Sequence, residues 1–224
     1  MMSNVRVGRY AVMAGTAFVL AACAGSPPAR YYTLLEASPA QAVQSGAPLA
    51  VPANLPVIEV LPVSVPVQVD QPQIMLRDRA GAVTPLFSDR WAAPLADEMR
   101  AALSDRLTRR LGVADVYEVK AARGEPVWRV QVDVQRFDSV LGEAATLDAT
   151  WRLRAINLNA PASLCRTQIR EPTRGADLQS LVAAHQAAVG KFGDIVASRL
   201  AGKDVATQEG IVSRCSVVGS EAPN

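Results

Sequence analysis

Few side chains in this 224-residue chain are equipped for covalent chemistry: three cysteines, Cys23, Cys165 and Cys215, and a single histidine, His185. The setting of each decides what it can do. Cys23 follows Leu20-Ala21-Ala22, and small residues there let a chain lie extended in a peptidase cleft. Behind it, Ala11 to Leu20 is an apolar run preceded by Arg6 and Arg9. That is the charged-then-apolar pattern of a secretory signal, and it falls short of the roughly 20 apolar residues that span a bilayer. The pattern ends as a bacterial lipobox does. It predicts a diacylglycerol thioether on Cys23, removal of residues 1–22, and an N-acyl chain such as palmitate on the new terminus. Two or three acyl chains anchor a protein stably, whereas one binds only marginally. The residue after Cys23 is Ala24, not the Asp that in the lipoprotein sorting pattern retains a chain at the inner membrane. The expected location is therefore the outer membrane, lipid-anchored, on its periplasmic face.

Cys165 and Cys215 remain, in a compartment that permits disulfides. They are expected to pair, which in the chain-entropy picture stabilises the fold by up to about 4 kcal/mol. His185 falls on the apolar stripe of a predicted helix, where a packed imidazole is the plain reading. A serine–histidine triad would need partners to which nothing in the sequence points. There is no G-x-S-x-G elbow and no P-loop. One histidine and three cysteines leave no material for a zinc site. No catalytic residue, no metal and no cofactor beyond the covalent lipid on Cys23 are expected.

The charge balance agrees with a binding role in the envelope. Lys+Arg number 23 against Asp+Glu 21, and loss of Arg6 and Arg9 leaves 21 against 21. A formally neutral mature chain argues against a nucleic-acid partner. Hydrophobic residues at 50% are enough to build a core.

These residues must be positioned by ordinary elements. Residues 24–72 hold nine of the 15 prolines, which excludes long helices there. Residues 23–55 read as anchor and Pro-rich tether, with a first strand at 31–35. Val57 to Val69 is β-branched but broken by Pro62 and Pro66. Gln73–Arg77 and Ala82–Leu86 flank Asp78-Arg79-Ala80-Gly81, a hairpin pattern. A helix follows, capped by Ser88 or Asp89, with Leu95, Met99, Leu103, Leu107 and Leu111 at i+4 and Gly112 as its stop. Trp128, Val130, Val132 and Val134 alternate with polar residues; Phe137 breaks parity, predicting a bulge near Gln135-Arg136. A second alternating run, Ala145 to Leu153, should pair with it, and Ser163–Ile169 suits a third strand. A second long helix spans about Asp177 to Ala201, capped by Asp177. The fold class is α/β bordering on α+β: a single layered domain at 56–204, with a mixed, mostly antiparallel sheet and two long amphipathic helices. Residues 205–224 form a tail partly docked through Cys215.

The ordered set of lipobox, Tyr31-Tyr32-Thr33-Leu34, Gln71-Pro72-Gln73-Ile74-Met75-Leu76-Arg77, Asp89-Arg90-Trp91-Ala92-Ala93-Pro94-Leu95 and Val134-Gln135-Arg136-Phe137-Asp138 resembles the ABC-type transport auxiliary lipoprotein family. The resemblance covers roughly residues 20–202. It implies a three-layer α/β sandwich and a non-catalytic component of an intermembrane lipid transport system. Its implied partners are an MCE-domain protein and inner-membrane transporter components, and some members form homo-oligomeric rings. Within the shared motifs, Arg90 and Trp91 could make a partner contact, since both types are enriched at interface hot spots, but the plainer reading packs Trp91 at the helix entrance and pairs Arg90 with a nearby carboxylate. Gln73 and Arg77 sit on a strand that could be offered as an edge. The same anchor and tether would also suit a scaffold or activator of another envelope machine.

Overall fold

The computed structural model describes residues 28–36, 49–50, 57–117, 121–203 and 209–218. The expected signal peptide, Cys23 and most of the Pro-rich tether lie outside these residues.

Among the described residues the chain forms nine strands and two helices. They are β1 (Arg30–Tyr32), β2 (Val57–Val60), β3 (Gln73–Arg77), β4 (Val83–Trp91), α1 (Leu95–Leu111), β5 (Ala114–Asp115), β6 (Val127–Val140), β7 (Ala144–Ile156), β8 (Ala162–Pro172), α2 (Leu178–Leu200) and β9 (Ile211–Val218). A three-stranded sheet has the order β1-β4-β3, and a six-stranded sheet the order β5-β2-β6-β7-β8-β9. Both are mixed: β1 runs parallel to β4, and β2 parallel to β5 and β6, while the remaining pairs are antiparallel. The fold is thus a single α+β domain.

The 14-residue strand β6 of the six-stranded sheet also packs beside β3 of the three-stranded one. Its first half pairs with β2, and the Pro62-punctuated segment after β2 continues along it through the Ser64–Asp133 bridge. Pro66 then turns the chain away, and β3 runs beside the second half of β6. The register shift between Val134 and Arg136 is the expected bulge, and it lets Phe137 return to the core face.

Both helices lie on one face. α1 buries Leu95, Met99, Leu103, Leu107 and Leu111, and α2 buries Val182, Val189, Phe192, Val196 and Leu200, against Ile58, Val130, Val132, Leu147, Trp151 and Ile169 of the sheet. Trp151 meets Phe192 edge-on at 6.1 Å between centroids. The helices approach closely because α2 presents Gly193, where an added Cβ would stand 2.6 Å from Cγ of Arg106. The opposite face of the sheet carries Gln131, Arg152, Arg154, Arg166 and Arg170, all exposed, so among the described residues no third layer covers it. The arrangement has two layers, which corrects the three-layer expectation: charged residues at the outward positions leave nothing for a second helical layer to bury.

Two boundaries also differ from the sequence reading. The strand β4 continues through Asp89 to Trp91 because β1 pairs with it there, so neither Ser88 nor Asp89 caps α1. Pro94 takes that position (φ −49°, ψ 137°), and its carbonyl accepts from the Asp97 and Glu98 amides at 2.9 and 3.0 Å. The later helix is capped as expected, with the Asp177 carboxylate accepting from the Ser180 amide at 2.8 Å. Among the described residues no helix is long and apolar enough to cross a membrane.

Candidate interaction face

The nucleophile-like groups are sealed inside. His185 is fully buried, and its Nε2 lies 2.8 Å from Oγ of the buried Ser139. Phe137 stacks on the imidazole at 4.1 Å and Trp91 meets it edge-on at 6.1 Å. Its Nδ1 has no hydrogen-bond partner, so the third member of a triad is not in place. Burial holds the imidazole neutral, with its pKa pushed down to about 3; the Asp138 charge opposes that shift. The pair is a packed core element.

Cys165 and Cys215 form a disulfide between directly opposed residues of β8 and β9, with Cα atoms 4.1 Å apart. The segment around Cys215 is thereby a full strand, paired with β8 from Ile169↔Ile211 to Ala162↔Val218. Gly210 begins it with φ +74°, and an added Cβ there would meet the Arg170 carbonyl oxygen at 2.7 Å.

The candidate contact residues divide between the two faces. Trp91 is only 4% exposed and packs on Phe137 and His185, so it supports the surface from below and is not itself presented to a partner. Gln73 and Arg90 are paired across β3 and β4. On the other side of Arg90 stands Tyr31, 63% exposed. Arg90 Nε donates to the carbonyl oxygen of Phe87, whose ring is 73% exposed. Arg90 does not pair with the neighbouring Asp89, whose carboxylate is taken by Arg30 at 2.8 Å and the Tyr32 hydroxyl at 3.0 Å. Arg77 Nε bonds Asp138 at 2.9 Å, and Arg136 holds the other oxygen of Asp138 at 3.0 Å.

Arg77 and Arg136 lead onto the open face. Its rows run across the strands: Gln131–Arg152–Leu164–Ser216, then Asp133–Thr150–Arg166–Arg214, then Arg136–Asp148–Gln168–Val212. Asp148 is buried beneath Arg166 and Gln168, which bond it at 2.7–3.0 Å. The Arg166 hydrogen bond is the main reason its carboxyl lies below the usual range. A recess of about 480 Å3 opens between Arg136, Asp148, Arg170 and Gly210. Among the described residues, Arg152, Arg154, Arg170 and Arg214 pair with no carboxylate. The alternation of β6 to β8 already put these arginines opposite the apolar positions. Their accumulation on one face was hidden in the sequence because it appears only once four strands are laid side by side.

The domain presents one polar open face and shuts its single histidine into the core. The family model described as "ABC-type transport auxiliary lipoprotein component" matches residues 32–197, well over half the chain, and the chain belongs to that family. No curated protein matches it in sequence. Several solved chains are similar, and two illustrate the likeness. One, described as an uncharacterized protein, is 14% identical with a TM-score of 0.59, covering 77% of this chain and 99% of its own. The other, protein XCC0632 from Xanthomonas campestris, is 16% identical with a TM-score of 0.47, covering 69% of this chain and 92% of its own. The first shares the fold. The family match stops before β9, so the disulfide-held strand lies beyond the matched segment.

Proposed function

We propose that this lipoprotein is the outer-membrane component of an MCE-type ABC system that moves lipid between the two membranes, and that it works by binding its periplasmic MCE partner, without catalysis. The observation that carries the reading is the family match over 32–197 joined to the lipobox ending at Cys23. Diacylglycerol and an N-acyl chain on Cys23 hold the domain at the periplasmic face of the outer membrane. The ring assembly implied by the family resemblance would match an oligomeric partner in symmetry.

Affinity capture of the tagged, acylated chain from detergent-solubilised envelopes tests this reading. It should retain an MCE-domain protein and transporter subunits, and deletion of the gene should alter envelope lipid distribution. Capture of neither, with unchanged lipids, would overturn it.

A further inference from the structure

The mature chain carries as many acids as bases, yet its open sheet face does not. Arg152 and Arg154 of β7, Arg170 of β8 and Arg214 of β9 project there without carboxylate partners among the described residues. Arg136 and Arg166 add two more exposed guanidinium groups. Of the acids on the same face, Asp138 and Asp148 are buried under arginines and Glu59 is held by Arg129 at 2.6 Å, which leaves Asp133 as an exposed carboxylate bonded by the Ser64 hydroxyl. A face of this kind in a neutral protein attracts an extended anionic surface.

Two further observations select the surface. The lipidated residue proposed above, Cys23, stands only seven residues before Arg30, where β1 begins, so the chain between them spans at most about 25 Å. The sheet edge next to the anchor then presents Tyr31 and Phe87, 63% and 73% exposed, with Arg90 between them. Aromatic rings beside arginine are what a membrane–water interface accommodates. We infer that the arginine-rich open face of the sheet docks on the anionic phospholipid headgroups of the membrane that carries the anchor, with Tyr31 and Phe87 at the headgroup level. Guanidinium groups meet lipid phosphates bidentately, and the helical layer is left facing the periplasm.

This choice of occupant rests on the proposed anchor, so its test uses a chain without one. The mature chain from residue 23 with Cys23→Ser is sedimented with vesicles of phosphatidylethanolamine and phosphatidylglycerol, and with vesicles of phosphatidylcholine alone. It should bind only the anionic vesicles, and less as salt rises. The triple variant Arg152→Gln, Arg154→Gln, Arg170→Gln should lose roughly fivefold in affinity per arginine removed. A control with the same charge change on the helical side, at Arg109, Lys191 and Lys203, should bind as the parent does. Near-ultraviolet circular dichroism of each variant reports folding. No binding by the parent, equal losses in both triple variants, or arginine variants that bind vesicles normally but fail to capture a periplasmic protein would each overturn the inference. Mass spectrometry of Cys23 in protein from native envelopes reports the anchor separately: an unmodified thiol would remove the anchor and leave the vesicle result standing.

Discussion

His185 is a neutral imidazole enclosed by Phe137 and Trp91, with Ser139 on one nitrogen and no partner on the other. Placing a charge there would desolvate it, and that is why its pKa falls from 6.5 to about 3. The unfolded chain takes up the proton near pH 6.5, and the folded chain does not until about pH 3. Folding stability from this residue is therefore complete above pH 6.5 and is lost as pH falls through that window, at a slope approaching 1.4 kcal/mol per pH unit, on the order of several kcal/mol in all. Urea melts between pH 7 and 5 should show the slope. His185→Leu should flatten it, at a cost of about 1–3 kcal/mol at pH 7 for the orphaned Ser139 hydroxyl. A slope unchanged by the substitution would assign the acid sensitivity to other groups. The helical spacing of His185 with Val182, Val189 and Phe192 was enough to place it in the core. Its serine partner was not legible, because Ser139 is 46 residues away on a strand whose bulge sets which side chains face inward.

At the scale of elements, the two helices meet where one gives up its side chain. Gly193 of α2 lies against the stem of Arg106, whose guanidinium then forks onto Asp194 at 3.0 and 2.6 Å and reaches Glu36 at 3.4 Å. Gly193→Leu should overpack this crossing and cost about 1–3 kcal/mol, read as a lower midpoint in thermal melts. A variant as stable as the parent would show that Arg106 moves aside freely. The β9 strand depends on a different device, its disulfide to β8. Closing a 50-residue separation is worth about 4 kcal/mol in the chain-entropy model. Cys165→Ala with Cys215→Ala should lower stability by up to that amount and release the amides of Ile211–Val218 to hydrogen exchange ahead of β6 and β7. Protection in β9 equal to that in β7 would mean that the strand ladder alone holds it. The long helices, the β6–β7 hairpin and the bulge were legible because each is a local pattern within one element or two adjacent ones. The start of α1 was not: Ser88 and Asp89 are good caps, but the pairing of β1 with β4 keeps them extended, and that pairing links residues about 60 apart.

For the whole molecule, the consequential difference lies at the N-terminal side. Composition draws a domain beginning at 56 behind a long tether, because the Ala- and Pro-rich residues before it have no helical or strand periodicity. Yet Tyr31 to Leu34 belong to the body of the fold. Leu34 is 1% exposed, its amide and the Thr33 hydroxyl both bond the buried Glu98 at 2.8 and 2.7 Å, and Gln186 of α2 donates to the Thr33 carbonyl at 2.9 Å. The sequence signal was a five-residue β-prone run, too short to outweigh the prolines around it. A chain beginning at residue 56 would therefore uncover Trp91, leave the Asp89 carboxylate without Arg30 and Tyr32, and strand Glu98 beneath the helices. Each orphaned buried carboxylate costs about 1–3 kcal/mol or more, and the exposed aromatic adds to it, which together approach the whole stability of a domain this size. A chain beginning at residue 28 should melt cooperatively, and one beginning at 56 should bind the dye that reports exposed apolar surface or fail to accumulate as a folded species. Equal melts for the two would make β1 an accessory. If β1 is integral, the folded body begins only seven residues after Cys23, and a chain lipidated there, as proposed, would have its domain held close to the membrane. Under the proposed function, the transport machinery would then have to come to it there.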